Sequence, residues 1–150
     1  MKINFLLSWI KSARSGRDSF KNKNSAALFE EYRERISHFA HCESIGWDEK
    51  RLAEKTGKVI WVCDRMGKEI SSEELAAKLD HAMNSSAKEI DIVIGGPDGL
   101  NPHEIDKLKP AFVWSFGKMT LPHELAAVVA SEQIYRAWSI LRNLPYHKGH

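Results

Sequence analysis

Residues able to move protons or bind anions are concentrated in the last third of the chain. His123 follows a proline, Glu132 and Arg136 stand four positions apart, and Tyr146 and His147 come near the end. Imidazole and phenol groups can donate or accept protons, and a guanidinium can bind phosphate. Each residue also has an ordinary structural interpretation. His123 would be a surface histidine, and Glu132 with Arg136 would form an ion pair, either on a helix surface or in a buried dimer contact.

Two glycine-containing segments predict a ligand site. One is IGGPDG at residues 94–99, and the other is SFGKMTLPH at residues 115–123. The first segment has neither the glycine spacing of a dinucleotide fingerprint nor the Gly-Lys-Ser/Thr of a P-loop, and the charge of Asp98 would repel a phosphate. It suits a ligand without phosphate that needs close approach to the backbone, such as S-adenosylmethionine with its positive sulfonium. Taken alone, both segments also fit ordinary tight turns.

The charge distribution is more informative than the net charge of +2. Residues 1–24 carry six lysines or arginines and a single acidic residue, Asp18. This basic stretch predicts either a solvated loop or a loop that contacts phosphate. Two cysteines make neither a disulfide framework nor a metal motif, and no apolar run reaches the length of a membrane span. We therefore expect a cytoplasmic protein that uses no metal.

Strands and helices alternate along the chain and must position these residues. Apolar runs predict strands at residues 3–10, 42–47, 59–63, 90–94 and 111–116. A plausible N-cap at Ser25 predicts a helix to about residue 40, and a short helix is expected at 48–55. The capping box Ser71-x-x-Glu74 predicts a helix over about 72–83. Further helices are expected from Asn101-Pro102 and, with Thr120 as cap, from Pro122 to about residue 142.

This alternation predicts an α/β fold, in which a parallel sheet is covered by helices on both faces. We expect a single domain over residues 1–150, because no linker or repeat interrupts the pattern. Ligands bind such sheets beyond the carboxyl ends of the strands. The loops that follow residues 63, 94 and 116 are therefore the expected binding loops.

Four motifs in fixed order identify the chain as similar to a known family. They are IGGPDG at 94–99, TLPH at 120–123, SEQIYRAWSI at 131–140 and PYH at 145–147. Together they resemble the RlmH family of SPOUT-class enzymes over about residues 58–147. The resemblance implies S-adenosylmethionine-dependent methylation of N3 of a pseudouridine in large-subunit (23S) ribosomal RNA. It also implies a trefoil knot in that part of the chain, and a homodimer in which the partner subunit completes the site.

The resemblance also implies the roles of individual residues. Tyr146 and His147 are expected to recognise the target base or handle its proton, Arg136 to contact RNA, and His123 to act in catalysis. Most of the cofactor-binding residues would act through backbone groups. They are expected to be Cys63, Gly95, Gly96, Phe116, Gly117, Lys118, Met119, Thr120 and Leu121.

The N-terminal half departs from the family pattern at residues 7–11, and the segment between residues 42 and 59 is short. Two other functions therefore stay open. One is a ribosome-binding or assembly factor that has lost catalysis, and the other is a SPOUT methyltransferase acting on another RNA, such as tRNA. His38 and His41 have no acidic or cysteine partner at metal-ligand spacing and are interpreted as surface histidines.

Overall fold

A computed structural model describes residues 1–10 and 20–148. Residues 11–19, which hold three of the six basic residues of the basic stretch, lie outside this description. The strands are β1 (Lys2–Leu7), β2 (His41–Gly46), β3 (Lys58–Glu69), β4 (Glu89–Ile94) and β5 (Phe112–Ser115). The helices are α1 (Lys23–Ile36), α2 (Glu49–Ala53), α3 (Ser72–Met83), α4 (Pro102–Leu108) and α5 (His123–Leu141). Within the described ranges, no helix is long and apolar enough to cross a membrane.

The five strands form one parallel sheet in the order β2-β1-β4-β3-β5. Helices α1, α3 and α5 bury apolar residues such as Phe29, Leu79 and Ile134 in the larger core on one face. The short helices α2 and α4 cover the other face through Leu52 and Leu108. The predicted α/β architecture with helices on both faces is therefore confirmed.

Helix starts follow their capping side chains. Complete capping boxes form at α3, between Ser71 and Glu74, and at α4, between Asn101 and Glu104. In each box, both side chains accept a hydrogen bond from the backbone N–H of the other residue. The prediction for α1 was wrong by three residues. Asn22, not Ser25, is the N-cap, and the helix ends at Ile36 instead of near residue 40.

Strand β3 is longer than the sequence pattern predicts and is interrupted. Cys63 and Lys68 both lie opposite Trp114 of β5, so residues 64–67, the first loop, leave the sheet between them. Gly67 is required there, because a Cβ atom would lie 2.5 Å from the carbonyl oxygen of Val113. The second loop (residues 95–101) follows β4 and the third loop (residues 116–122) follows β5. All three loops therefore lie at the carboxyl edge of the sheet.

A buried polar cluster occupies the opposite edge of the sheet. The carboxylate of Asp91 is fully buried and accepts bonds from Lys58 and Asn4, each at 3.0 Å. Arg51 of α2 lies 3.1 Å from Glu89 and 3.5 Å from Asp91. Because a buried carboxylate is stable only when it is paired, this cluster fixes α2 and three strands to one another.

Candidate functional site

The three loops enclose a cleft of about 640 Å³ at the carboxyl edge of the sheet. A parallel sheet places its ligand site at this edge, as the sequence pattern predicts. Lys118 is exposed and does not line the cleft. The other residues expected to bind a cofactor do line it: Cys63, Gly95, Gly96, Phe116, Gly117, Met119, Thr120 and Leu121.

The second loop forms a wall of close-packed backbone. A Cβ atom on Gly95 would lie 3.0 Å from the Cα of Gly99, tighter than side chains normally pack. The N–H of Gly99 donates to the carbonyl of Gly96 at 2.8 Å, which closes the turn. The end of β1 supports this loop, since the N–H of Ser8 donates to the carbonyl of Ile94 at 3.0 Å. At Gly95 and Gly96, therefore, no side chain lies between the backbone and the cleft.

The third loop is joined to the first through Ser115. The Ser115 hydroxyl accepts the N–H of Gly117 at 3.1 Å and lies 3.0 Å from the carbonyl oxygen of Arg65, to which it can donate. The Arg65 guanidinium lies 3.4 Å from the hydroxyl of Thr120. The expectation that Thr120 caps α5 was wrong, because Pro122 occupies the N-cap and makes no side-chain capping bond. Thr120 instead faces the first loop.

The charged residues of the cleft are mainly acidic. Asp64, Asp98 and Asp106 line it, against the single guanidinium of Arg65. Burial raises the pKa of the Cys63 thiol, which therefore remains neutral and contributes an uncharged wall. Such a surface favours a cationic or zwitterionic ligand over a phosphate ester.

His123 is the first residue of α5 and lies on the wall of the cleft. Its ring packs edge-to-face on Trp9, with ring centres 4.6 Å apart. Its Nε2 lies 3.7 Å from the carboxylate of Glu124, which also accepts the N–H groups of Lys21 and Asn22 at 2.9 and 3.0 Å. Sequence reasoning missed Trp9 because it lies more than a hundred positions away from His123 in the chain.

The remaining catalytic candidates form a network near the other end of α5. Arg136 binds Glu132 through two nitrogens, at 2.7 and 3.0 Å. The phenol of Tyr146 donates to the same carboxylate at 2.9 Å. Arg136 also lies 3.1 Å from Nδ1 of His147, whose Nε2 lies 2.7 Å from Glu73. These contacts fit a neutral imidazole that accepts at Nδ1 and donates from Nε2.

Tyr146 and Arg136 both have raised pKa values in this network, so both keep their protons. Burial raises the pKa of Tyr146, and its hydrogen bonds to Tyr32 and Glu132 add to the effect. Burial alone would lower the pKa of Arg136, but the hydrogen bond and charge of Glu132 outweigh it and raise the pKa. Tyr146 is therefore a donor and not a base in this arrangement.

The structure separates the two groups of catalytic candidates. His123 and Arg136 lie on the same helix, thirteen residues apart, which is about 20 Å along the axis. The chain thus brings Arg136, Tyr146 and His147 together, but away from its own cleft. Within the described residues, no cluster of histidine, cysteine and carboxylate side chains could hold a metal ion.

A parallel sheet with a glycine-lined cleft at its carboxyl edge is typical of the class of α/β proteins that bind a ligand beyond the carboxyl ends of the strands. The chain belongs to the SPOUT methyltransferase family, since residues 17–147 match the family model described as "Predicted SPOUT methyltransferase".

Curated relatives carry the name "Ribosomal RNA large subunit methyltransferase H". The protein from Koribacter versatilis is 41% identical over 140 residues, which cover 87% of this chain and 94% of that protein. The protein from Coxiella burnetii is 48% identical over 89 residues, which cover 59% of this chain and 56% of that protein. The match to the Coxiella relative therefore spans little more than half of its length.

A solved structure shares the fold. It is described as a "probable methylase family protein" from Haemophilus influenzae, and it superposes with a TM-score of 0.55 at 14% identity. The superposition covers 94% of this chain and 66% of that one. At this identity, the similarity establishes the architecture alone.

Proposed function

We propose that this protein is an S-adenosylmethionine-dependent methyltransferase that acts on N3 of a pseudouridine in large-subunit (23S) ribosomal RNA. The observation that carries the proposal is the cleft formed by three loops at the carboxyl edge of the sheet. The family match and the names of the relatives support the reaction and the substrate class.

The residues of the cleft fit this cofactor. The close-packed backbone at Gly95 leaves little room for a side chain, so backbone amide and carbonyl groups of the second loop would be available to hold an adenine ring. Exposed Met119 and half-buried Leu121 supply apolar walls. The acidic residues complement a ligand with a sulfonium and an ammonium group. When bound, the cofactor would supply a methyl group as the electrophile.

Transfer to the imide nitrogen requires alignment of N3 with the methyl group and loss of the N3 proton. Alignment can supply most of the rate, so a strong base is not required. His123 is the first residue of α5 and lies on the cleft wall, so we assign the N3 proton to its imidazole. Tyr146 and His147 would orient the base, and Arg136 would contact the RNA.

We also propose that two copies of the chain complete each site. Leu125 of α5 and Leu28 of α1 are 42% and 41% exposed, which leaves apolar surface for a partner. In a two-fold dimer with crossed antiparallel α5 helices, the polar network of one copy approaches the cleft of the other. The cleft would then be completed by the partner's network, because the network of its own chain lies about 20 Å away along α5.

Three further properties belong to the proposal. Residues 1–150 would act as a single domain, and about residues 58–147 would form the trefoil knot implied by the resemblance. The protein would work in the cytoplasm, where a ribosomal RNA substrate is made and assembled.

The test compares ribosomal RNA from cells with and without the protein, by mass spectrometry of digested nucleosides. We expect 3-methylpseudouridine to disappear from 23S RNA without the protein, to return with the wild-type gene, and to stay absent with Gly95→Val. Loss of a methylated nucleoside from tRNA instead would mean a different RNA substrate. An unchanged nucleoside profile would favour an assembly factor without catalysis.

A further inference from the structure

We propose that Arg65 binds the carboxylate of the cofactor's methionine moiety and so sets the specificity of the cleft for an intact amino-acid tail. This inference rests on the proposed function, because it assigns a residue to one part of that cofactor. The family resemblance does not assign a role to Arg65. The role is inferred from the geometry of the first loop.

The interruption of β3 places Arg65 at the cleft. Because residues 64–67 leave the sheet, the Arg65 side chain is exposed and lines the cleft instead of packing in the core. Its carbonyl oxygen lies within hydrogen-bond distance of Ser115, and its guanidinium reaches Thr120 on the third loop. The side chain therefore spans the gap between two of the loops that enclose the ligand.

The guanidinium of Arg65 has N–H donors available to bind an anion. Within the part of the chain that the structure describes, its one hydrogen bond is to the neutral hydroxyl of Thr120 and is long at 3.4 Å. Among the ion pairs formed within residues 1–10 and 20–148, none involves Arg65. A guanidinium presents donors in a planar fork that matches a carboxylate in two-point contact.

The surrounding charges decide which anion fits. Asp64, Asp98 and Asp106 share the cleft with Arg65, so an RNA phosphate would meet three negative charges there. S-adenosylmethionine carries one carboxylate, one ammonium and one sulfonium. One guanidinium and three carboxylates complement that pattern, with Arg65 facing the carboxylate. An amino-acid zwitterion is therefore favoured over a phosphate.

The test is a two-by-two comparison of protein and ligand by calorimetry. The wild-type protein and Arg65→Ala are each titrated with S-adenosylmethionine and with decarboxylated S-adenosylmethionine, which lacks only the carboxylate. We expect Arg65→Ala to bind S-adenosylmethionine about tenfold more weakly, as for a partly solvated charge-assisted contact. Its affinity for the decarboxylated ligand should be unchanged or slightly higher, because a repulsive charge is removed.

Two control variants isolate the specific contact. Lys107→Ala removes a positive charge from α4 beside the cleft-lining residues without removing a lining residue, and it should leave the affinities of both ligands unchanged. Arg65→Lys keeps the charge but not the two-point geometry, and it should fall between wild type and Arg65→Ala for S-adenosylmethionine.

The outcomes separate this inference from the function on which it rests. Equal weakening of both ligands by Arg65→Ala would overturn the inference and assign Arg65 to loop structure. Unchanged cofactor affinity with weaker binding of ribosomal RNA would also overturn it, in favour of a phosphate contact. If the wild-type protein binds neither ligand, the proposed cofactor and this inference both fail.

Discussion

The two ends of α5 are built on different principles. At its N-terminal end, four glycines line the cleft, and a Cβ atom at Gly95 would lie only 3.0 Å from the backbone of Gly99. At its C-terminal end, Glu132, Arg136, Tyr146 and His147 form a network of side-chain hydrogen bonds. A concave cleft encloses a small ligand, whereas a network of polar side chains can form hydrogen bonds with a nucleobase. The difference suggests cofactor binding at one end and RNA-base recognition at the other.

Gly95→Val should have the largest effect on cofactor affinity, because it adds atoms at the tightest position of the second loop. A Cβ there would already lie 3.0 Å from Gly99, and a branched side chain needs more room. Overpacking costs about 1–3 kcal/mol, so we expect cofactor affinity to fall about ten- to a hundredfold by calorimetry.

The matched variant Gly96→Ala should cost less than Gly95→Val. The nearest atom to a Cβ at Gly96 is the Cβ of Trp9, at 3.4 Å, which belongs to a side chain and not to backbone. Circular dichroism and light scattering should show that both variants remain folded dimers. Equal affinity losses in the two variants would mean that the second loop is wrongly placed at the ligand.

Removal of the C-terminal tail should affect turnover more than cofactor binding. A chain ending at Leu144 loses Tyr146 and His147 but retains the two-point contact between Arg136 and Glu132. We expect cofactor affinity within a few fold of wild type. The methylation rate should fall on the order of a hundredfold, as for a misplacement of about 1 Å. Single-turnover assays on ribosomes check this, and full activity would move base recognition to His123 or Arg136.

Leu125→Glu should prevent dimerisation, and so keep the C-terminal network of one copy away from the cleft of the other. The residue is 42% exposed near the N-terminus of α5, so a carboxylate is tolerated in the monomer. In the proposed interface, burial of an unpaired charge should raise the dimer dissociation constant by more than about tenfold. His103→Glu adds a carboxylate at the exposed start of α4 and serves as the control. A wild-type monomer at micromolar concentration in light scattering would contradict the proposed dimer.

The smallest effect should be a titration shift of Glu73. The hydrogen bond from His147 holds the pKa of this carboxyl below its ordinary value. Because the folded-state pKa is lowered, the stabilising contact is present above the ordinary pKa of glutamate and is lost as pH falls through the lowered value. In a chain ending at Leu144, NMR titration should show the Glu73 pKa returning upward. An unchanged Glu73 pKa would show that His147 does not contact α3 in solution.

Local signals in the sequence predicted much of the fold, and the errors have physical causes. The capping boxes at Ser71 and Asn101 set the starts of α3 and α4, because both residues of each box are close in sequence. Thr120 was misassigned as a cap because its polar contact is with Arg65, which is distant in sequence.

The site was predictable only in part for the same reason. Gly95 and Gly117 could be predicted as site residues because each is a glycine in a loop that follows a predicted strand, and both line the cleft. Arg65 and Trp9 gave no local signal, because their importance depends on the interruption of β3 and on the packing of the segment after β1 against the start of α5. The distance between the C-terminal network and the cleft could not be inferred from motif order, which does not report where a helix ends in space.

Hydrogen–deuterium exchange with and without S-adenosylmethionine tests the central claim most directly. The cleft should be the cofactor site, so saturating ligand should slow exchange most strongly in residues 95–101 and 116–122. The effect should be smaller in Gly95→Val at the same ligand concentration. Protection centred on α1 and the C-terminal end of α5, or no protection at millimolar ligand, would contradict the assignment of the cleft.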